Sequence, residues 1–81
     1  MKQVAILGLS YFGEAVLAEL LEMDVDILII DKDREVLDRY RDTVSAAIGM
    51  DVINQEALEK TLPKHIDAVV IDMGKNIEAS I

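Results

Sequence analysis

Four large aliphatic residues in unbroken succession, Ile27-Leu28-Ile29-Ile30, stand between Asp26 and Asp31. A β-strand sends successive side chains to opposite faces, so this run is apolar on both. Such a strand needs cover on two sides, as in a parallel sheet layered between helices. The flanking sequence supplies that cover. Residues 3–7 read as a first strand, ended by Gly8. A helix is predicted over 12–23, with Val16, Leu17, Leu20 and Leu21 at helical spacing and Glu14, Glu19 and Glu22 mostly opposite. The aliphatic run is the second strand, over 26–30. A second helix over 33–42 carries Val36, Leu37 and Tyr40 as its apolar stripe. A weaker strand follows over 43–48. A third helix over 54–62 has Asn54 as N-cap, Ala57 and Leu58 inside, and Pro63 as its stop. Residues 68–73 form a fourth strand, and Asn76 is expected to cap a further helix.

Strands alternating with helices give an α/β chain with helices on both faces of a parallel sheet. Right-handed crossovers fix the strand order as 3-2-1-4. At 81 residues the chain holds one domain. The last strand is as apolar as a central one, so the chain reads as the truncated N-terminal portion of a larger domain. The alternative is a minimal domain whose open edge is covered by a second copy.

Charge and cysteine usage narrow the function classes. Sixteen acidic residues against eight basic ones give a net charge of -8. Such a surface repels phosphate backbones and anionic headgroups, which argues against nucleic acid and membrane surfaces as partners. Cysteine is absent, so disulfides, thiol nucleophiles and zinc–thiolate sites are excluded. No apolar stretch approaches the ~20 residues of a membrane-spanning helix. Lys2 before Val4-Ala5-Ile6-Leu7 faintly suggests a leader, but Glu14 and Glu19 break it, and Met1 is read as the start of the fold. The composition fits a cytoplasmic location.

The chemistry is concentrated at Gly8-Leu9-Ser10-Tyr11-Phe12-Gly13, between the first strand and the first helix. The segment matches G-x-G-x-x-G with Ser10 at the second glycine. Gly8 permits the tight turn, the second position must be small for backbone to approach a pyrophosphate, and Gly13 lets the helix pack close to the sheet. The helix N-terminus offers unpaired N–H groups and a positive dipole end. Ser10 adds a hydroxyl able to donate to a phosphate. Asp31 ends the second strand 18 residues after Gly13, where a carboxylate accepts the ribose hydroxyls of an adenosine. It disfavours a 2′-phosphate, a preference softened by Lys32 and Arg34. Asp51 falls on the same sheet edge, within reach of an adenine amino group, or serves as an ordinary loop residue. Met73-Gly74 ends the fourth strand beside the glycine loop. These features make the fold Rossmann-like.

With those residues in place, the chain resembles the regulator of K⁺ conductance domain, also called the RCK, KTN or TrkA-N domain. Family members open with a strand and a loop like G-L-G-R-F-G, then a strand ending in Asp; Gly8–Gly13 and Asp31 match. A segment like G-D-A-T-D-E-E-x-L follows, loosely matched by Met50-Asp51-Val52 and the residues to Leu58. A stretch like G-x-N-I-E-A-S is matched closely by Gly74-Lys75-Asn76-Ile77-Glu78-Ala79-Ser80. The resemblance implies a regulatory subunit that binds NAD(H), ATP or ADP and gates a membrane-embedded potassium channel or transporter. It also implies a homodimer or larger ring on the cytoplasmic side, without insertion into the membrane. In family terms residues 8–13 hold the phosphates, Asp31 the ribose and Asp51 the adenine, with Leu9, Lys32, Val52, Met73 and Gly74 lining the site. Three departures stand out: Tyr11 replaces an Arg that helps bind phosphate, Ser10 replaces a glycine, and Asp72 stands where a small or neutral residue is commoner. Tyr11 makes NAD(H) the first choice over ATP or ADP. Asp31, Asp51 and Asp72 together repel anions or hold a cation, but their spacing forms no recognised metal loop.

Two rival classes are weighed. A fragment of an NAD-dependent oxidoreductase needs an acid–base residue. The sole histidine, His65, precedes the fourth strand on the edge opposite the glycine loop, and no catalytic constellation is visible. A nucleotide-free interaction module could use the acidic face of Glu14, Glu19 and Glu22, a stripe that also reads as plain solvated surface. Met1, Met23, Met50 and Met73 share no helical spacing and read as core or end residues.

Overall fold

The computed structural model describes residues 2–51, 56, 60, 62 and 64–72, and the backbone of 77–80. The elements are β1 (Lys2–Leu7), α1 (Tyr11–Leu20), β2 (Val25–Asp31), α2 (Arg34–Tyr40), β3 (Ala46–Gly49), β4 (Ala68–Asp72) and β5 (Ile77–Ser80). One sheet holds all five strands in the order β3-β2-β1-β4-β5. The first four are parallel, as the double-sided apolar run requires.

The segment after β4 corrects the reading from sequence. Residues 77–80 do not open a helix. They return antiparallel along β4, with Asp72 opposite Ile77 and Val69 opposite Ser80. The physical reason is local. A single helical turn fixes three residues for one hydrogen bond. The free edge of β4 offers ladder bonds to any strand laid beside it. Asn76 itself, like Val52, Asn54, Ala57, Leu58, Pro63, Met73 and Gly74, lies outside the described residues. Of the third helix, only Glu56 and Lys60 are described, and both are helical.

The sheet separates two apolar layers. On one face Ile6, Ile27 and Ile29 pack with Leu17 of α1 and Val36 and Leu37 of α2. On the other Ala5, Leu7, Leu28 and Ile30 meet Ile48, Leu62, Ile66, Val69 and Ile71. Ile29 and Ile30 are both fully buried, one on each face, so the continuous run is used on both sides. Helix α1 ends by tightening: Glu22 N–H reaches Glu19 C=O and Met23 N–H reaches Leu20 C=O. Helix α2 starts at Asp33, whose side chain accepts from Glu35 N–H at 3.0 Å. Strand β3 begins later than the pattern suggested, because Thr43 and Val44 N–H still bond to Tyr40 C=O.

Candidate functional site

Register brings the site together. Leu7 lies beside Ile30 of β2 and beside Ile71 of β4. One residue further along, Gly8 is flanked by Asp31 on one side and Asp72 on the other. This is the carboxyl edge of the sheet, at the point where strand order reverses between β1 and β4. In open α/β sheets that crevice is where ligands bind.

Gly8 turns the chain with φ 92°, and its N–H donates to Ile30 C=O at 2.8 Å. A Cβ here would strike the carbonyl oxygen of Asp72, so glycine is required twice over. Gly13 is buried in the first turn of α1. A Cβ on it would collide with the Gly8 carbonyl and lie 2.8 Å from Asp72 Oδ2. The two glycines at the ends of the motif are therefore packed against each other and against β4. Ser10 is the N-cap of α1 with an extended φ of -78°, so the absent second glycine costs no backbone strain.

Asp31 is half-buried at the end of β2. Its Oδ2 accepts from Leu9 N–H at 2.6 Å and its Oδ1 from Asp33 N–H at 2.8 Å. The carboxylate ties the glycine loop to the start of α2. Asp51 is exposed just past β3, following Met50, whose N–H donates to Asp31 C=O. Leu9 is buried in the α1 face of the core, which fixes the loop from below. Tyr11 and Phe12 are both exposed at the tip, their rings edge to face at 5.9 Å. Lys32 is exposed. With Arg34, Arg41, Leu37, Gly49 and Met50 it borders a cleft of about 600 Å³ between α2 and β3. Arg41, which pairs with Asp38 at 3.2 Å, was not singled out in the sequence.

Asp72 holds the chief surprise. It is a buried charged residue, 4% exposed. Its Oδ2 accepts from Ser10 N–H at 3.0 Å, from Gly13 N–H at 2.7 Å, and from the Ser10 hydroxyl. The Ser10 hydroxyl, expected to face a phosphate, is turned to this carboxylate instead. Ser10 makes no side-chain cap to its own helix. Asp72 caps α1 from another strand, supplying the acceptor and the negative charge that a helix N-terminus favours. The available signal was an acid closing an apolar strand beside a small-residue loop.

Away from the crevice, Glu14 is not simple solvated surface. Its Oε1 accepts from Arg39 and from the Tyr40 hydroxyl, both at 3.0 Å, clamping α1 to α2. Burial, then the Glu14 hydrogen bond and charge, push the Tyr40 hydroxyl above its ordinary pKa, with Arg39 opposing. His65 is exposed and precedes β4, at the edge opposite the glycine loop. Among the described residues no group of three acidic or imidazole side chains is placed to hold a metal ion. Nor is any of their helices long and apolar enough to cross a membrane.

The family model described as the TrkA-N domain matches residues 4–81, all but three residues of the chain. The chain belongs to the TrkA-N domain family. The Ktr system potassium uptake protein C of Bacillus subtilis (strain 168) is 30% identical over 80 residues, 99% of this chain and 36% of that protein. The Ktr system potassium uptake protein A of Vibrio alginolyticus is 31% identical over 80 residues, again 99% of this chain and 36% of the relative. The B. subtilis protein A is 28% identical over 79 residues. The chain thus spans about a third of the length of the curated relatives it matches. The TrkA-N membership agrees with the resemblance read from Gly8–Gly13, Asp31 and the residues from Gly74 to Ser80.

Proposed function

We propose that this chain is the nucleotide-sensing domain of a regulatory protein in a potassium uptake system, with NAD(H) as its ligand. The observation that carries the reading is the crevice at the strand-order reversal. There a positive-φ Gly8 turn opens a helix, and an acid, Asp31, ends the neighbouring strand. The residues present fit an adenosine: Asp31, half-buried at the end of β2 with one backbone donor on each oxygen, would accept the ribose hydroxyls, and Asp51, one strand further out, would meet the adenine. Tyr11 brings no charge to the loop, which favours a dinucleotide pyrophosphate over a triphosphate. ADP and ATP are the second choice, supported by Lys32, Arg34 and Arg41 around the neighbouring cleft. Bound nucleotide would stabilise one arrangement of the regulator over another and pass that bias to a membrane-embedded potassium-transporting partner. This is a population shift rather than a reaction, so no catalytic residue is assigned. Its relatives' names point to potassium uptake, and a dimer or ring on the cytoplasmic side is the assembly in which such coupling would work.

Thermal melting with and without NADH, NAD⁺, ADP and ATP tests the proposal. A ligand that binds only the folded state adds roughly 2.7 kcal/mol at a hundred times its Kd. NADH is expected to raise Tm, and Asp31→Ala is expected to abolish the rise. No response to any of the four nucleotides would overturn the reading.

A further inference from the structure

We infer that Asp72 is an internal anion seated in the phosphate-holding turn, and that it sets the site against ligands in proportion to their phosphate charge. The inference rests on the nucleotide reading above and deepens it. Four N–H groups at the start of a helix lack intrahelical partners, and these are the groups that cradle a phosphate. In this chain two donors at that turn, the N–H groups of Ser10 and Gly13, already point at Asp72 Oδ2 at 3.0 and 2.7 Å. The Ser10 hydroxyl is drawn to the same oxygen. Tyr11 and Phe12 supply the remaining N–H groups of the first turn, beside exposed side chains. A phosphate entering the crevice meets half the donors, with the Asp72 carboxylate beside them.

The carboxylate cannot swing clear cheaply. Asp72 is buried, its strand is paired with β1 on one side and β5 on the other, and its carbonyl backs onto Gly8. Leaving would strand the Ser10 and Gly13 N–H groups without acceptors. Repulsion therefore persists in the bound state, in a crevice where the effective dielectric is well below that of water. Adenosine, which ends at the ribose, avoids it. Each added phosphate feels it more.

The test is the affinity series adenosine, AMP, ADP and ATP, measured on the intact protein by calorimetry without divalent cation. Two variants accompany it. Asp72→Asn keeps an oxygen to accept from Gly13 N–H while removing the charge. Asp72→Ala removes both, and reports independently should the amide fail to fold. The expected result in both variants is an affinity gain relative to adenosine that grows along the series, to about tenfold or more for ATP. A merely structural cap would weaken all four ligands alike, and that outcome would overturn the inference. Gains equal for adenosine and ATP would overturn it too. Adenosine binding to all proteins with no phosphate-dependent gain would sink this inference and leave the nucleotide reading standing. Failure of all four ligands to bind any of the proteins would sink this inference, and the NAD(H) reading would then stand or fall by the melting test with NADH and NAD⁺.

Discussion

Asp31 and Asp72 are the same residue type at equivalent positions, each closing a strand that neighbours β1, one on either side of Gly8. Their environments have little else in common. Asp31 divides its oxygens between two backbone donors, Leu9 and Asp33, and stays half-buried. Asp72 commits one oxygen to three donors of the glycine loop and is all but sealed from solvent. The strand-end acid on the outer side of the loop stays partly open to solvent. The one on the inner side becomes part of the loop's own structure. The difference arises from what surrounds each: β2 ends beside the entry to α2, whereas β4 ends under the first turn of α1.

The largest expected effect separates these roles. Asp72→Ala leaves two N–H groups at a buried helix start without acceptors and should cost roughly 2–4 kcal/mol in urea unfolding. Equal stability of variant and parent would show that the cap is dispensable. Gly13→Ala sharpens the same point from the other side. Its Cβ would press on the Gly8 carbonyl and Asp72 Oδ2, so a loss of about 1–3 kcal/mol is expected by denaturant titration. Asp31→Ala should cost less, about 1 kcal/mol, since Leu9 N–H can recover water at a half-buried site. If Asp31→Ala proves the more destabilising of the two acid variants, the contrast drawn here is wrong.

The smallest effect concerns a third acid, Glu14, whose partners lie on α2 rather than on the loop. Tyr40 has its pKa raised in the folded state from an ordinary 10.0. The unfolded chain therefore releases this proton first, and stability falls as pH rises through about 10 toward the folded value. Tyr40→Phe should flatten that alkaline decline, at a cost of about 0.5–1 kcal/mol at neutral pH for the lost hydrogen bond. Melting curves between pH 7 and 11 on both proteins would reveal it, and an unaltered slope would remove Tyr40 from the account.

Much of the architecture was legible in the residues. The run Ile27–Ile30 demanded cover on both faces, and Ile29 and Ile30 are buried on opposite sides of the sheet. The spacing of Gly8, Gly13 and Asp31 placed a turn, a helix start and a strand-end acid where they stand. The misread segment was 77–80. Its four residues carry no periodicity strong enough to choose a helix or a strand, and the choice fell to an open edge of β4, a feature no local window contains. The clamp made by Glu14 is hidden from the sequence for a similar reason. Its partners Arg39 and Tyr40 are about 25 residues away and meet it only once α1 and α2 lie side by side.

Pattern and composition alone thus determined the alternating α/β order, the parallel core and the position of the crevice. Strand period, helix period and glycine geometry are local properties that every stretch of chain carries with it. Tertiary structure decided which acid stays half-buried at the sheet edge and which one caps a helix. It also turned the Ser10 hydroxyl inward and laid residues 77–80 along β4. Those outcomes depend on groups some sixty residues apart being brought within 3 Å, as Ser10 and Asp72 are, and hydrogen bonds of that range exist only after the sheet has set its register.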